Sequence, residues 1–218
     1  KGMNPLSVQA FELESEMEGT VIIDTRSTND FLAGHVPNSL FIGIDDNFAP
    51  WVGALIEDLS TRILIVTDNG REDEVVTRMA RVGYDNTIGY LQGGFESWKE
   101  AGKNVTTVKS IDAEQFSYAF DRGELAVLDV RKESEYNSQH VEGVQSFPLD
   151  FINQNIGTLS GSKEYTVHCA GGYRSVVAIS ILLRNGIDKV VNVLGGFNAI
   201  KAEGKVKISA YQEPATLL

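Results

Sequence analysis

The feature that most constrains this chain is that it repeats itself once. Residues 21–39, VIIDTRSTNDFLAGHVPNS, read against residues 126–146, AVLDVRKESEYNSQHVEGVQS, bring Asp24, Arg26 and His35 onto Asp129, Arg131 and His140, each 105 residues later. Further on, RVGYDNTIGYLQGGF (81–95) reads against RNGIDKVVNVLGGF (184–197), with Gly83 and Gly186 separated by 103 residues. A period of about a hundred residues is the size of a small domain and far longer than a solenoid unit. The 218 residues therefore divide into two domains, 1–107 and 108–218, with the boundary in TTVKSID (106–112). That connection is too short to act as a flexible spacer.

Both copies carry the same order of signals. A serine cap and an amphipathic helix, from Ser7 and from Ser110, precede a short apolar strand, VIID or AVLD. After a polar segment around the shared histidine comes a second strand, ILIVT (63–67) or YTVHC (165–169), which runs into a glycine-containing loop and a further helix. The apolar face of that helix is Val75, Val76, Met79 and Ala80 in the first copy and Ala178, Ile179, Leu182 and Leu183 in the second. Gly83 and Gly186 read as the residues that end these helices, before the strands TIGYL and KVVNVL. Strands alternating with helices predict an α/β fold, in each copy a mainly parallel central sheet flanked by helices. In such sheets ligands gather beyond the carboxyl ends of the strands, where the two glycine loops fall.

Composition removes several function classes. A net charge of −11 argues against nucleic acid as a partner, since binding phosphates needs clustered Lys and Arg. The deficit is uneven: residues 1–107 hold 8 basic against 17 acidic side chains, and residues 108–218 hold 11 against 13. No run approaches the roughly 18 apolar residues of a membrane span, and KGMNPLS does not read as a leader. A first residue of Lys1 is expected of an excised or processed piece. One cysteine forbids an internal disulfide and suits a reducing, cytoplasmic setting. His35, His140 and His168 are separated singles, so neither a metal nor a cofactor is expected.

The single cysteine stands in HCAGGYRS (168–175). Cys169 ends a strand, and its loop feeds a helix starting near Ser175, where unpaired N–H groups and the helix dipole favour negative charge. Arg174 adds a positive charge, and Gly171 and Gly172 let the loop curl so that N–H groups turn inward on a sulfur or an oxyanion. The alternative is a buried apolar cysteine closing a strand, but paired glycines and an arginine before a helix serve no packing purpose.

The CAGGYRS loop, the upstream Asp129 and Arg131, the segment QHVEGVQSFPL and the closing LGGF together resemble rhodanese-type sulfurtransferase domains, in tandem over nearly the whole chain. The resemblance implies that Cys169 takes a sulfane sulfur from a small anionic donor such as thiosulfate, or from a low-molecular-weight persulfide, and passes it to a thiol or cyanide. It implies further that the N–H groups of Ala170, Gly171, Gly172, Tyr173, Arg174 and Ser175 hold the persulfide, that the Arg174 side chain meets the donor, and that Asp129 and Arg131 support the site. For that last pair a structural salt bridge is an equal alternative. Two alternatives stand beside this. A non-catalytic interaction module is marked by loss of the cysteine, which holds for the first copy and fails for the second. A cysteine phosphatase or arsenate reductase also uses a cysteine loop ending in arginine, but with five intervening residues; here four, Ala170 to Tyr173, intervene.

The loop of the first copy is TDNGREDE (67–74), with Asp68, Asn69, Gly70 and Arg71 in place of the cysteine loop. Aligning Asp68 with Cys169 and Arg71 with Arg174 makes it two residues short. A carboxylate carries no transferable sulfur and, with Glu72, Asp73 and Glu74, repels an anionic donor, so this copy is expected to be inactive. Its stretch NFAPWVGALI (47–56) either packs over the sheet edge or presents Phe48, Trp51 and Leu55 for docking. That stretch, a cysteine-free first copy and a CAGGYRS second copy resemble the C-terminal region of fusions with a metallo-β-lactamase-fold, persulfide dioxygenase-like domain. Such a resemblance implies an N-terminal partner domain of that kind and a place in sulfide oxidation.

Overall fold

A computed structural model describes residues 4–213, and the chain divides into two compact units between Thr107 and Val108. The first unit runs β1 (Pro5–Leu6), α1 (Val8–Ser15), β2 (Thr20–Asp24), α2 (Thr28–Ala33), β3 (Leu40–Phe41), α3 (Phe48–Leu55), β4 (Arg62–Val66), α4 (Glu72–Arg81), β5 (Thr87–Leu91) and α5 (Gly94–Glu100). The second runs β6 (Lys109–Ile111), α6 (Ala113–Asp121), β7 (Val127–Asp129), α7 (Glu133–Ser138), β8 (Gln145–Ser146), α8 (Ile152–Asn155), β9 (Tyr165–His168), α9 (Tyr173–Arg184), β10 (Val190–Val193) and α10 (Gly196–Glu203), with short 3-10 turns on either side of α8. Each unit is a five-stranded sheet, ordered β1-β5-β4-β2-β3 in one and β6-β10-β9-β7-β8 in the other. Every strand pair is parallel, so both units have the α/β architecture that the alternating signals predict.

In each sheet the strand before the glycine loop is the central one. β4 is buried over Ile63 to Val66, which is why ILIV is a continuous apolar run and not an alternating one. β9 is buried at all four positions although it contains Thr166 and His168. On one face of the second sheet Phe116, Val141, Val193 and Ile200 form a core with Phe197. In the first, Phe11, Leu64 and Val66 pack with Trp98, the Phe11 and Trp98 rings meeting edge to face at 6.2 Å.

Several local expectations shift. Ser7 caps α1 through the Ala10 N–H at 3.2 Å, but Ser110 lies inside β6 and Asp112 caps α6, in a reciprocal box with Gln115. TTVKSID is thus partly a strand, paired with β10, and not only a connection. Gly83 and Gly186 take φ of +90° and +79° just past α4 and α9, the left-handed turn that ends a helix cheaply only with glycine. Ala80 is exposed, so the buried stripe of α4 is Val75, Val76 and Met79. α9 is buried without a break from Ser175 to Leu182, while Leu183 is half-buried, so this helix has no simple polar face. Phe48 is buried with Val52 and Ile56, and the Tyr84 hydroxyl donates to the carbonyls of Val52 and Ile56. Phe48 is therefore a packing anchor of α3 and cannot form an exposed triad with Trp51 and Leu55, both half-buried. Among the described residues no helix is long and apolar enough to cross a membrane.

Candidate functional site

Cys169 follows the last residue of β9, and α9 begins at Tyr173, two residues earlier than expected. The chain turns between them because Gly172 adopts φ of +114°, a conformation that side chains resist, and the Gly172 N–H then donates to Cys169 Sγ at 3.1 Å. Gly171 is different: a Cβ there would meet nothing within 4 Å, so the loop does not need its freedom. Cys169 is 1% exposed.

The outer side of the loop is gripped by the start of α10. Phe197 N–H donates to the Cys169 carbonyl at 2.7 Å, and Asn198 N–H to that of Ala170 at 3.0 Å. Gly196 makes this approach possible, since a Cβ there would lie 2.4 Å from the Cys169 carbonyl oxygen. The second glycine of LGGF is thus a site residue that sequence reasoning used only as an alignment marker. Ser175, in the first turn of α9, is buried; its hydroxyl reaches Asn192 Oδ1 at 3.0 Å and the Gly172 carbonyl at 3.3 Å, fastening loop to β10.

Arg174 does not stand free beside the sulfur. Its guanidinium makes a two-pronged contact with Glu135 at 2.6 and 2.9 Å. The Arg174 partner holds the Glu135 carboxyl below the usual range, and Glu135 in turn raises the guanidinium. Glu135 was missed at the sequence level; its only signal is its place three residues after Lys132, whose N–H it accepts at 3.1 Å at the start of α7.

Asp129 and Arg131 are buried beneath the loop. Arg131 Nε and Nη2 contact the carboxylate at 3.0 and 2.6 Å, Nη2 also reaches the Gln139 carbonyl at 2.9 Å, and the guanidinium lies 4.0 Å over the Phe197 ring. Asp24 and Arg26 repeat this in the first unit, with the Gly34 carbonyl at 2.7 Å and Phe95 at 4.3 Å. Since the pair recurs where there is no cysteine, it belongs to the fold, and in the second unit it steadies the ring of the residue that holds the Cys169 carbonyl. His35 and His140 are equally architectural: each bonds through Nδ1 to the carbonyl four residues back and stacks on that residue's ring, Phe31 at 3.7 Å and Tyr136 at 3.9 Å.

Strand register corrects the alignment of the two loops. β2 places Asp24 opposite Val66, and β7 places Asp129 opposite His168, so Val66 corresponds to His168 and Thr67 to Cys169. Asp68 stands one position further on, where the second unit has Ala170. From Thr67 to Arg71 is five residues against six from Cys169 to Arg174, a deficit of one and not two. The misalignment arose because an isolated loop with one residue fewer offers no internal marker of where the gap lies; the sheet supplies it. Thr67 Oγ1 is buried with no hydrogen-bond partner. The Gly70 N–H is taken by the carboxylate of Glu72 at 2.8 Å, and Arg71 is held by Asp45 at 2.7 and 2.8 Å and by Glu74. Burial and the neighbouring Asp30 push the Asp68 carboxyl up. Among the described residues there is no cluster of metal-ligating side chains.

Comparison with known proteins points the same way for both halves. A family model described as Rhodanese-like domain matches residues 7–101 and 112–203. The putative sulfur carrier protein YrkF of Bacillus subtilis (strain 168) is 32% identical over 108 residues, which cover 49% of this chain and 57% of that protein. The uncharacterized protein YqhL of the same organism is 29% identical over 100 residues, 46% of this chain and 76% of YqhL. Among solved structures, a rhodanese-like domain protein from Staphylococcus aureus is 31% identical with a TM-score of 0.42, covering 47% of this chain and all of that one. A thiosulfate sulfurtransferase from Pseudomonas aeruginosa is 20% identical with a TM-score of 0.45, covering 97% of this chain and 44% of that one. The chain thus spans little more than half the length of YrkF and less than half of the Pseudomonas chain.

Proposed function

This chain belongs to the rhodanese-like family, with one such domain in each half, and from that premise we propose that it is a sulfurtransferase working through Cys169 alone. The observation that carries the reading is the Gly172 N–H aimed at Cys169 Sγ at the end of the central strand, where the first unit has Thr67. In the first half-reaction the Cys169 thiolate attacks the sulfane sulfur of thiosulfate. A new sulfur–sulfur bond forms, the bond to the sulfonate sulfur breaks, and sulfite leaves with the bonding pair. In the second, cyanide or a thiolate attacks the outer sulfur and Cys169 departs as thiolate. The loop's N–H groups, from Ala170 to Ser175, offset the negative charge that both steps place on sulfur.

Arg174, oriented by Glu135, supplies the positive charge that meets the donor's anionic group. The first unit contributes no sulfur chemistry: it has a hydroxyl where the thiol would be, and its own Glu72 occupies a loop amide. Cyanide-dependent thiocyanate formation tests the assignment. The wild-type chain should be active and Cys169→Ser inactive but folded; undiminished turnover by the serine variant would place the site elsewhere. Arg174→Ala should raise the KM for thiosulfate, and an unchanged KM would remove its role.

We propose also that the chain works in the cytoplasm beside a metallo-β-lactamase-fold, persulfide dioxygenase-like domain in sulfide oxidation. Support comes from the sequence resemblance alone: the FAPWVGAL stretch and the order of a cysteine-free and a cysteine-bearing domain. The coding sequence upstream of Lys1 decides this, since an HxHxDH pattern there supports it and another kind of sequence removes it.

A further inference from the structure

Next to the cysteine position the two central strands differ in chemistry: His168 occupies the register place that Val66 holds in the first unit. Strand order and the buried Asp–Arg pair are the same in the two units. The fold therefore accepts an apolar residue here. The imidazole comes at a cost, because Nε2 is buried with no hydrogen-bond partner, and an unpaired buried polar group loses its hydration without compensation. What it contributes in return lies at the other nitrogen: Nδ1 is 3.1 Å from the Cys169 carbonyl oxygen.

That carbonyl can only accept, so Nδ1 carries the proton and, in the neutral ring, Nε2 carries the lone pair. Burial, the dominant influence, pushes His168 below the usual imidazole pKa; the Asp129 charge and the hydrogen bond to the Cys169 carbonyl oppose this, and Arg131 reinforces it. Nε2 lies 3.9 Å from Asp129 Oδ2, beyond hydrogen-bond reach. The ring is fixed by Phe116 from α6, edge-on at 6.3 Å, and by Phe197 from α10, stacked at 6.4 Å. The Cys169 carbonyl thus receives two donors, His168 Nδ1–H and Phe197 N–H, which together fill its acceptor sites and fix the peptide plane from which the loop departs.

We infer that His168 is a positioning residue for sulfur carriage: by donating Nδ1–H to the Cys169 carbonyl it holds the loop in the shape that turns the Gly172 N–H onto the sulfur. The inference rests on the proposed role of Cys169 as the sulfur carrier. It is tested in the full chain with His168→Val, which installs the residue of the first unit, and His168→Asn, whose amide N–H lies near the place of Nδ1–H. Three readouts apply: the lifetime of the Cys169 persulfide after thiosulfate is removed, the deuterium exchange of the Ala170, Gly171 and Gly172 amides, and the imidazole nitrogen shifts of the wild-type chain.

The valine variant should stay folded, shorten the persulfide lifetime roughly three- to tenfold, as loss of about one hydrogen bond requires, and speed exchange of the loop amides. The asparagine variant should recover most of both, and the imidazole should be protonated at Nδ1 only. Wild-type lifetime and exchange in the valine variant, an asparagine variant no better than valine, or an imidazole protonated at Nε2 would each overturn the inference. If the wild-type chain takes up no sulfur, the sulfurtransferase reading fails by itself, and exchange and imidazole shifts still decide whether His168 positions the loop.

Discussion

Gly196→Ala should damage the cysteine loop more than the equivalent Gly94→Ala damages the loop of the first unit, and the size of each effect follows from geometry. Gly196 has φ of +55°, where an L side chain costs about 1–2 kcal/mol. Its new Cβ would also lie 2.4 Å from the Cys169 carbonyl oxygen and 2.8 Å from that of Ala170. These are backbone atoms and cannot swing aside, so the loop must retreat from α10 and weaken the Phe197 and Asn198 hydrogen bonds, at about 1 kcal/mol each. Together this amounts to roughly 3–4 kcal/mol. At Gly94 the φ of +63° carries the same backbone cost, but the nearest contact is the Thr67 carbonyl at 3.0 Å, so about 1–2 kcal/mol is expected. The chain separates the two readouts: both tryptophans, Trp51 and Trp98, lie in the first unit, and the only cysteine, buried, lies in the second. Urea unfolding followed by tryptophan fluorescence reports Gly94→Ala, and the protection of Cys169 from a thiol reagent reports Gly196→Ala. Equal losses in the two units, or a Gly196→Ala chain with wild-type cysteine protection, would refute the argument that α10 shapes the loop.

Removing the Arg131 guanidinium in Arg131→Met leaves Asp129 buried beside no cation, so unfolding of the second unit should become easier by about 3–5 kcal/mol, measured by the same cysteine protection. His35 is held near a pKa of about 4 by burial, so in the range between that value and the ordinary 6.5 the unfolded chain binds the extra proton. Stability of the first unit should therefore fall as pH drops through this window, and His35→Asn should flatten the slope in tryptophan-monitored denaturation. Glu135→Gln frees the Arg174 guanidinium from the carboxylate that orients it and should raise the KM for thiosulfate; a lower KM would show that Glu135 competes with the donor and does not orient Arg174 for it. Thr67→Cys, which puts a thiol at the true counterpart of Cys169, should still gain no sulfur because Glu72 holds the loop amide, and intact mass after thiosulfate treatment checks this.

What the sequence could reveal followed from signals that repeat. The duplicated Asp-x-Arg and Gly-Gly-Phe stretches, with strands alternating against helices, were enough for the sheet-and-helix architecture of both halves, because periodicity and punctuation are local. Contacts set by the sheet were not legible. Nothing in HCAGGYRS shows that Arg174 meets Glu135, 39 residues earlier in the chain, or that the LGGF glycine closes on the Cys169 carbonyl. The register of β2 with β4 was equally hidden, and it moved the counterpart of Cys169 from Asp68 to Thr67. Ser110 misled because a serine ahead of an amphipathic run signals a cap, whereas here Asp112 and Gln115 form it together. Phe48 was ambiguous for a related reason: an apolar stretch reads alike whether it covers a core or faces a partner, and only the burial of Phe48, Val52 and Ile56 decides.

The central claim, that Cys169 alone carries sulfur, is met most directly by the intact mass of the chain after incubation with thiosulfate and, separately, with glutathione persulfide. The account predicts a gain of about 32 Da, one sulfur atom, located on Cys169 by fragmentation and released by cyanide or a reducing thiol. A wild-type chain that gains no sulfur from either donor would contradict it.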